Sequence, residues 1–120
     1  PAYVEKMQNL AAELGLGDSV IFAGVRSNMQ SFYDAMDAFM LPSLFEGLPV
    51  VLVEAQTAGL PCFVSDTVDA GAAFTDRVKF LPLNDVSAWV NAIAAASFRR
   101  DPRRGRRFQL RYALGRGGRV

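Results

Sequence analysis

Short apolar runs alternate with helix-like segments along most of this chain, and this alternation constrains the fold more than any other feature. Runs of this kind, short and bounded by turn residues, are typical of buried strands, and they occur at residues 20–23, 38–41, 62–65 and 78–81. Mainly apolar strands separated by helices indicate a parallel sheet covered on both faces. The chain is therefore predicted to be an α/β domain with a Rossmann-like parallel sheet and flanking helices.

Two helices are predicted in the first third of the chain, where apolar residues recur at helical spacing. The first covers residues 3–14, and Gly15 follows it as a C-terminal cap. The second begins after Ser27, because Gln30 lies three residues further on and this spacing is that of a capping box.

Two further helices are predicted downstream. The third begins at Pro49, a residue type favoured in the first turn, and ends near residue 58, with Gly59 as its cap. Asp85 is predicted to cap the last helix. Residues 66–77 show no clear pattern, so no element is predicted there.

The residue types that are absent exclude several kinds of site. The chain has no histidine and a single cysteine, Cys62, which excludes an internal disulfide, a zinc cluster and a histidine-dependent catalytic triad. No apolar run approaches the roughly 20 residues that span a bilayer, and no secretory signal precedes the domain. A cytoplasmic location is expected, with peripheral attachment at the inner face of the cell membrane left open.

Charge divides the 120 residues into two parts. Residues 1–98 carry four basic and eleven acidic side chains, a net charge of −7, whereas residues 99–120 carry nine arginines and one acid, a net charge of +8. An abrupt change of composition marks a boundary. We therefore predict a partial Rossmann-like domain over 1–98 and an Arg/Gly-rich tail over 99–120 that is disordered or not native to the fold.

The loop from Ser43 to Leu48 lies where a strand is predicted to end and a helix to begin. Ligands of open α/β sheets bind at this edge, and phosphates bind at helix N-termini. Gly47 allows close approach of the backbone, and the amides of Gly47, Leu48 and Val50 are expected to point toward an anion. Pro49 has no amide proton to contribute.

Two glutamates flank this predicted anion site. Glu46 lies in the loop, and Glu54 lies about 7 Å along the helix from Pro49 at 1.5 Å per residue. We interpret them as acceptors for sugar hydroxyl groups, one on each side of the anion, and not as a catalytic dyad.

These residues belong to a longer motif. Residues 39–66, FMLPSLFEGLPVVLVEAQTAGLPCFVSD, resemble the core motif of retaining glycosyltransferases of the family 4, or group 1, type, which consist of two Rossmann-like domains. The flanking stretches LAAELGLGDSVIFAGV and VKFLPLNDVSAWVNAI resemble the same family, so the resemblance covers about residues 1–98. It implies the nucleotide-sugar donor-binding half of such an enzyme, in bacterial polysaccharide or glycolipid synthesis.

The resemblance also implies roles for individual residues. Glu46 would hold hydroxyl groups of the donor sugar, and Glu54 would bind the ribose. Val25 and Arg26 match the position where the family holds the nucleobase. The donor diphosphate is expected at the backbone of the segment Gly47, Leu48, Pro49 and Val50.

No metal cofactor is expected, because the chain contains no Asp-x-Asp sequence. The departing UDP or GDP would be stabilised by the helix N-terminus and basic residues. In the family, the basic residues that clamp the diphosphate and the acceptor-binding domain lie upstream of the segment seen here. The chain alone is therefore expected to be inactive.

Several alternatives stay open at this point. The same site would serve a non-catalytic nucleotide-sugar-binding module or an accessory subunit, and a nucleotide-sugar epimerase shares the two-domain architecture. Dimerisation through exposed surface is considered as well. For the arginine tail, contact with a membrane or a lipid-linked acceptor ranks above nucleic-acid binding, and both rank below a non-native end.

Overall fold

A computed structural model describes residues 2–44, 48–96 and 98. It contains four α-helices, three strands and two short 3-10 helices within these ranges. In chain order they are α1 (Ala2–Glu13), a 3-10 helix (Gly17–Ser19), α2 (Met29–Ala35), β1 (Phe39–Leu41), α3 (Val50–Thr57), β2 (Cys62–Ser65), a 3-10 helix (Ala70–Ala72), β3 (Val78–Leu81) and α4 (Val86–Ala95).

The three strands form one parallel sheet in the order β1-β2-β3. Cys62 at the start of β2 lies opposite Phe39 of β1 and Val78 of β3. Every residue of the central strand β2 is buried. The parallel sheet with flanking helices confirms the predicted Rossmann-like α/β class.

The hydrophobic core is divided by the sheet, because successive side chains of a strand point to opposite faces. On one face Cys62 and Val64 pack in a cluster with Tyr33 of α2 and with Leu52 and Ala55 of α3. On the other face the core is formed by Phe63, Leu81 and Trp89. Helices therefore cover both faces, as the apolar strands indicated.

The helix ends follow local sequence signals. Gly15 and Gly59 adopt φ values of 71° and 83°, a left-handed conformation that glycine reaches without steric cost. At the end of α3, Gly59 N donates to Gln56 O at 3.0 Å and Leu60 N donates to Ala55 O at 3.1 Å, which is the Schellman pattern. Asp85 caps α4 by accepting from Ala88 N at 3.2 Å, as predicted.

The strand predicted at residues 20–23 is wrong. These residues have no strand assignment, and Ile21 is 85 % exposed. Within the described ranges no strand pairs with them, since β1, β2 and β3 pair only with one another. A strand needs a neighbour for its N–H and C=O groups, so an apolar β-branched run does not become one by composition alone.

The predicted capping box before α2 is also wrong. The helix begins at Met29 with Asn28 as its N-cap, and no side-chain hydrogen bond caps it among the described residues. Gln30 turns forward instead, and its Nε2 donates to Asp34 Oδ1 at 3.0 Å. In the described part of the chain, no helix is long and apolar enough to cross a membrane.

Candidate functional site

The loops that leave β1 and β2 are joined at the carboxyl edge of the sheet. The carbonyl oxygen of Ser43, two residues after β1, accepts from Ser65 Oγ at 2.6 Å and from Thr67 Oγ1 at 2.6 Å. The two hydroxyl groups also contact each other at 3.0 Å. The root of the loop that leads to α3 is thus fixed to the neighbouring strand.

Helix α3 begins beside this edge. Pro49 is buried, has extended backbone angles (φ −73°, ψ 123°) and is the N-cap, so the helix starts at Val50, one residue later than predicted. No side chain of the described residues caps this end, and the first N–H groups of a helix have no acceptor within it. Val50 is exposed, so backbone donors and the positive end of the helix dipole are presented at the surface.

Glu54 lies one turn further along α3 and is exposed. Its Oε1 accepts a hydrogen bond from the hydroxyl group of Tyr33 at 3.0 Å. Tyr33 comes from α2 and is 1 % exposed. One carboxylate oxygen of Glu54 is thus tied to a residue of the core at the start of the site.

The remaining residues predicted for the anion loop are only partly placed. Glu46 and Gly47 lie outside the described residues. Leu48 is half-buried and packs against the core cluster that contains Tyr33. The structure therefore brings Leu48, Pro49, Val50 and Glu54 together around the beginning of α3.

Val25 and Arg26, predicted near the nucleobase, lie in the exposed segment before α2. The Nε of Arg26 donates to Ala23 O at 2.7 Å, and its guanidinium carbon lies 6.0 Å from the ring centroid of Phe32. This cation–π contact places the arginine on α2, the helix that also carries Tyr33. Its contacts are with its own loop and with α2, not with α3.

Four polar residues that organise the site were not predicted as part of it. They share a sequence signal, since each is a polar or hydroxyl side chain in an apolar stretch and a buried polar atom requires a partner. They are Tyr33, Gln56, Ser65 and Thr67. Spacing alone could not supply their partners, because Tyr33 and Glu54 are 21 residues apart and Thr67 and Ser43 are 24 apart.

Over the part of the chain that the structure describes, no group of three or more His, Cys, Asp or Glu side chains could hold a metal ion. Glu46 lies outside those residues, so the expectation that no metal takes part stays a prediction.

The profile of the family described as glycosyl transferases group 1 matches residues 1–105. This match covers most of the chain, including the whole sheet, the start of α3 and Glu54. The chain belongs to the glycosyl transferases group 1 family. The resemblance inferred from the motif at residues 39–66 is thereby confirmed.

Relatives of this group 1 glycosyltransferase chain come from bacteria. It is 38% identical to a protein named as the glycosyltransferase EpsF of Bacillus subtilis (strain 168), over 82% of the chain and 26% of that protein. It is 32% identical to the UDP-Gal:alpha-D-GlcNAc-diphosphoundecaprenol alpha-1,3-galactosyltransferase of Escherichia coli, over 71% of the chain and 22% of the enzyme.

A third relative is the lipopolysaccharide core biosynthesis mannosyltransferase LpsB of Rhizobium meliloti (strain 1021), which is 29% identical over 78% of the chain and 28% of the enzyme. No solved structure matches the chain. The group 1 glycosyltransferase chain thus spans about a quarter of the length of these relatives.

Proposed function

We propose that the chain is the nucleotide-sugar donor-binding part of a retaining glycosyltransferase of bacterial polysaccharide or glycolipid synthesis. The observation that carries this proposal is the start of α3, where uncapped backbone amides adjoin a carboxylate held by Tyr33. Amides at a helix N-terminus suit a diphosphate, and an ionised carboxylate suits sugar hydroxyl groups. A nucleotide sugar offers both groups in one molecule.

In this proposal the donor spans the carboxyl edge of the sheet. The diphosphate binds at the backbone of Gly47, Leu48 and Val50, with Pro49 fixing the entry to the helix. Glu54 accepts from ribose hydroxyl groups, and Glu46 accepts from the transferred sugar. The two roles differ in their consequence, because only Glu46 would act beside the reacting carbon.

The base of the donor is proposed to lie along the segment before α2. Val25 would contact it through the backbone, and Arg26, already stacked on Phe32, would present its guanidinium group beside it. Both UDP and GDP are compatible with contacts of this kind.

The chemical contribution of this part is electrostatic. As the bond from sugar to diphosphate breaks, negative charge grows on the leaving oxygen, and fixed dipoles aimed at that charge stabilise the transition state. The helix N-terminus supplies such dipoles without a metal ion. A separate acceptor-binding domain would complete the site, and the chain alone is proposed to be inactive.

The names of the relatives support this assignment at the level of chemistry. One is a UDP-Gal-dependent galactosyltransferase that acts on a lipid-linked diphosphate, and another is a mannosyltransferase of lipopolysaccharide core synthesis. A cytoplasmic location, peripheral contact with a membrane and dimerisation stay predictions.

Calorimetric titration of the 120-residue chain with UDP-, GDP- and ADP-sugars tests the proposal. We expect one nucleotide class to bind, and we expect Glu54→Ala to weaken binding of the nucleotide more than binding of the free sugar. Glu13→Ala is the matched control, because Glu13 is an exposed helical glutamate of α1. Failure of every donor to bind, or equal losses in both variants, would contradict the proposal.

A further inference from the structure

The contact between Tyr33 and Glu54 joins a buried residue to an exposed one. The tyrosine ring is 1 % exposed and packs edge-on against Phe39 of β1, with ring centroids 6.2 Å apart and an interplanar angle of 65°. Such packing leaves the ring no freedom to follow a moving partner. The hydroxyl group is therefore a fixed point, from which Glu54 Oε1 accepts at 3.0 Å.

An exposed glutamate normally samples several rotamers, and fixing it on ligand binding costs conformational entropy. Here one carboxylate oxygen is already held by the core, while the side chain remains open to solvent. The second oxygen, Oε2, has no protein partner among the described residues. A preorganised acceptor of this kind binds a hydroxyl group with a smaller entropic loss than a free glutamate would.

We propose that Tyr33 is a positioning residue, which orients the Glu54 carboxylate toward the hydroxyl groups of a bound nucleotide. This inference rests on the proposed donor-binding function and adds to it a residue that does not itself touch the ligand. The direction of the hydrogen bond is stable near neutral pH, because burial and then the bond to Glu54 raise the pKa of Tyr33 to about 12. The phenol thus remains a donor and the carboxylate an acceptor.

A double-mutant cycle with UDP and GDP as the titrated ligands tests this inference. The chains compared are the wild type, Tyr33→Phe, Glu54→Gln and the double variant, each of 120 residues. We expect Tyr33→Phe to weaken nucleotide binding about tenfold, as expected for loss of a hydrogen bond to a charged group. In the double variant, Tyr33→Phe should add almost no further loss, because its effect passes through the carboxylate.

Two controls separate positioning from general damage to the fold. Tyr3→Phe removes a hydroxyl group from an exposed tyrosine of α1 and should leave nucleotide affinity unchanged. Denaturant midpoints of all variants are measured alongside. A purely structural role for Tyr33 would lower affinity in proportion to lost stability, independently of the residue at position 54.

The outcomes are distinguishable. If Glu54→Gln weakens binding and Tyr33→Phe does not, or if the two losses simply add, the positioning role is overturned and the donor site stands. If the wild type binds neither UDP nor GDP, or if it binds one and Glu54→Gln has no effect, the proposed role of Glu54 fails and the inference fails with it.

Discussion

Gln56 is the most fully used polar side chain among the described residues. It is completely buried in α3, and its Nε2 donates to Leu52 O and to Ala72 O at 3.2 and 2.9 Å. Its Oε1 accepts from the backbone amides of Phe74 and Thr75 at 2.8 and 3.1 Å. One amide group therefore fixes the irregular segment between β2 and β3 to the helix.

Replacing this side chain tests that role. Gln56→Leu keeps a similar volume but leaves the amides of Phe74 and Thr75 without their acceptor, which should cost about 2–4 kcal/mol of the free energy of unfolding. Urea denaturation measures the change. Gln8→Leu, at an exposed position of α1, should change it by less than about 0.5 kcal/mol. Equal effects at the two positions would show that the hydrogen bonds of Gln56 are unimportant.

Cys62 gives the fold a dependence on alkaline pH. The thiol is fully buried, and burial raises its pKa from an ordinary 9.0 to about 12, against a smaller lowering effect of Arg77. Because the folded state holds the proton more tightly than the unfolded state, the stability contribution is complete below pH 9 and is lost as the pH rises toward 12.

The expected result is a fall in the denaturation midpoint between pH 8.5 and pH 10, the interval below the titration range of Tyr33. Cys62→Ala should remove most of that fall, although its midpoint at pH 8 is lower because a buried sulfur atom is lost. Denaturant melts at half-unit pH intervals measure both slopes. Parallel curves for the two proteins would refute the assignment to the thiol.

At the scale of elements, features coded by neighbouring residues were predictable. The glycine caps of α1 and α3, the aspartate cap of α4 and the bounds of β2 and β3 agree with the sequence patterns. Each depends on a backbone angle, a side chain within three residues or a short apolar run. The family motif likewise placed Pro49 and Glu54 correctly at the start of α3.

Features that depend on distant partners were not predictable in the same way. Residues 20–23 have the composition of a strand but no neighbouring strand in the described chain. The segment 66–77 takes its course from Gln56, and the site carboxylate is held by Tyr33. A sequence pattern indicates that a buried polar group needs a partner, yet it does not identify that partner across 20 residues.

At the scale of the whole molecule, polar anchors join the sheet to its surroundings from both sides of β2. Ser65 and Thr67 hold the loop after β1, whereas Arg77 Nη1 donates to Gly59 O at 2.8 Å near the end of α3. These contacts all converge on the central strand and on the helix that precedes it. The proposed donor site is therefore built at the most extensively connected part of the chain.

Helix α1 is the opposite case, since none of its 12 residues is buried whereas every residue of β2 is. Amide protons exchange with solvent through local opening wherever few buried contacts resist it. In deuterium exchange at neutral pH, we expect the amides of α1 to exchange first and those of β2 last, near the rate set by global unfolding. Equal protection of the two elements would contradict this order. The chain is thus expected to open from its amino-terminal helix inward while the strand beside the donor site stays closed.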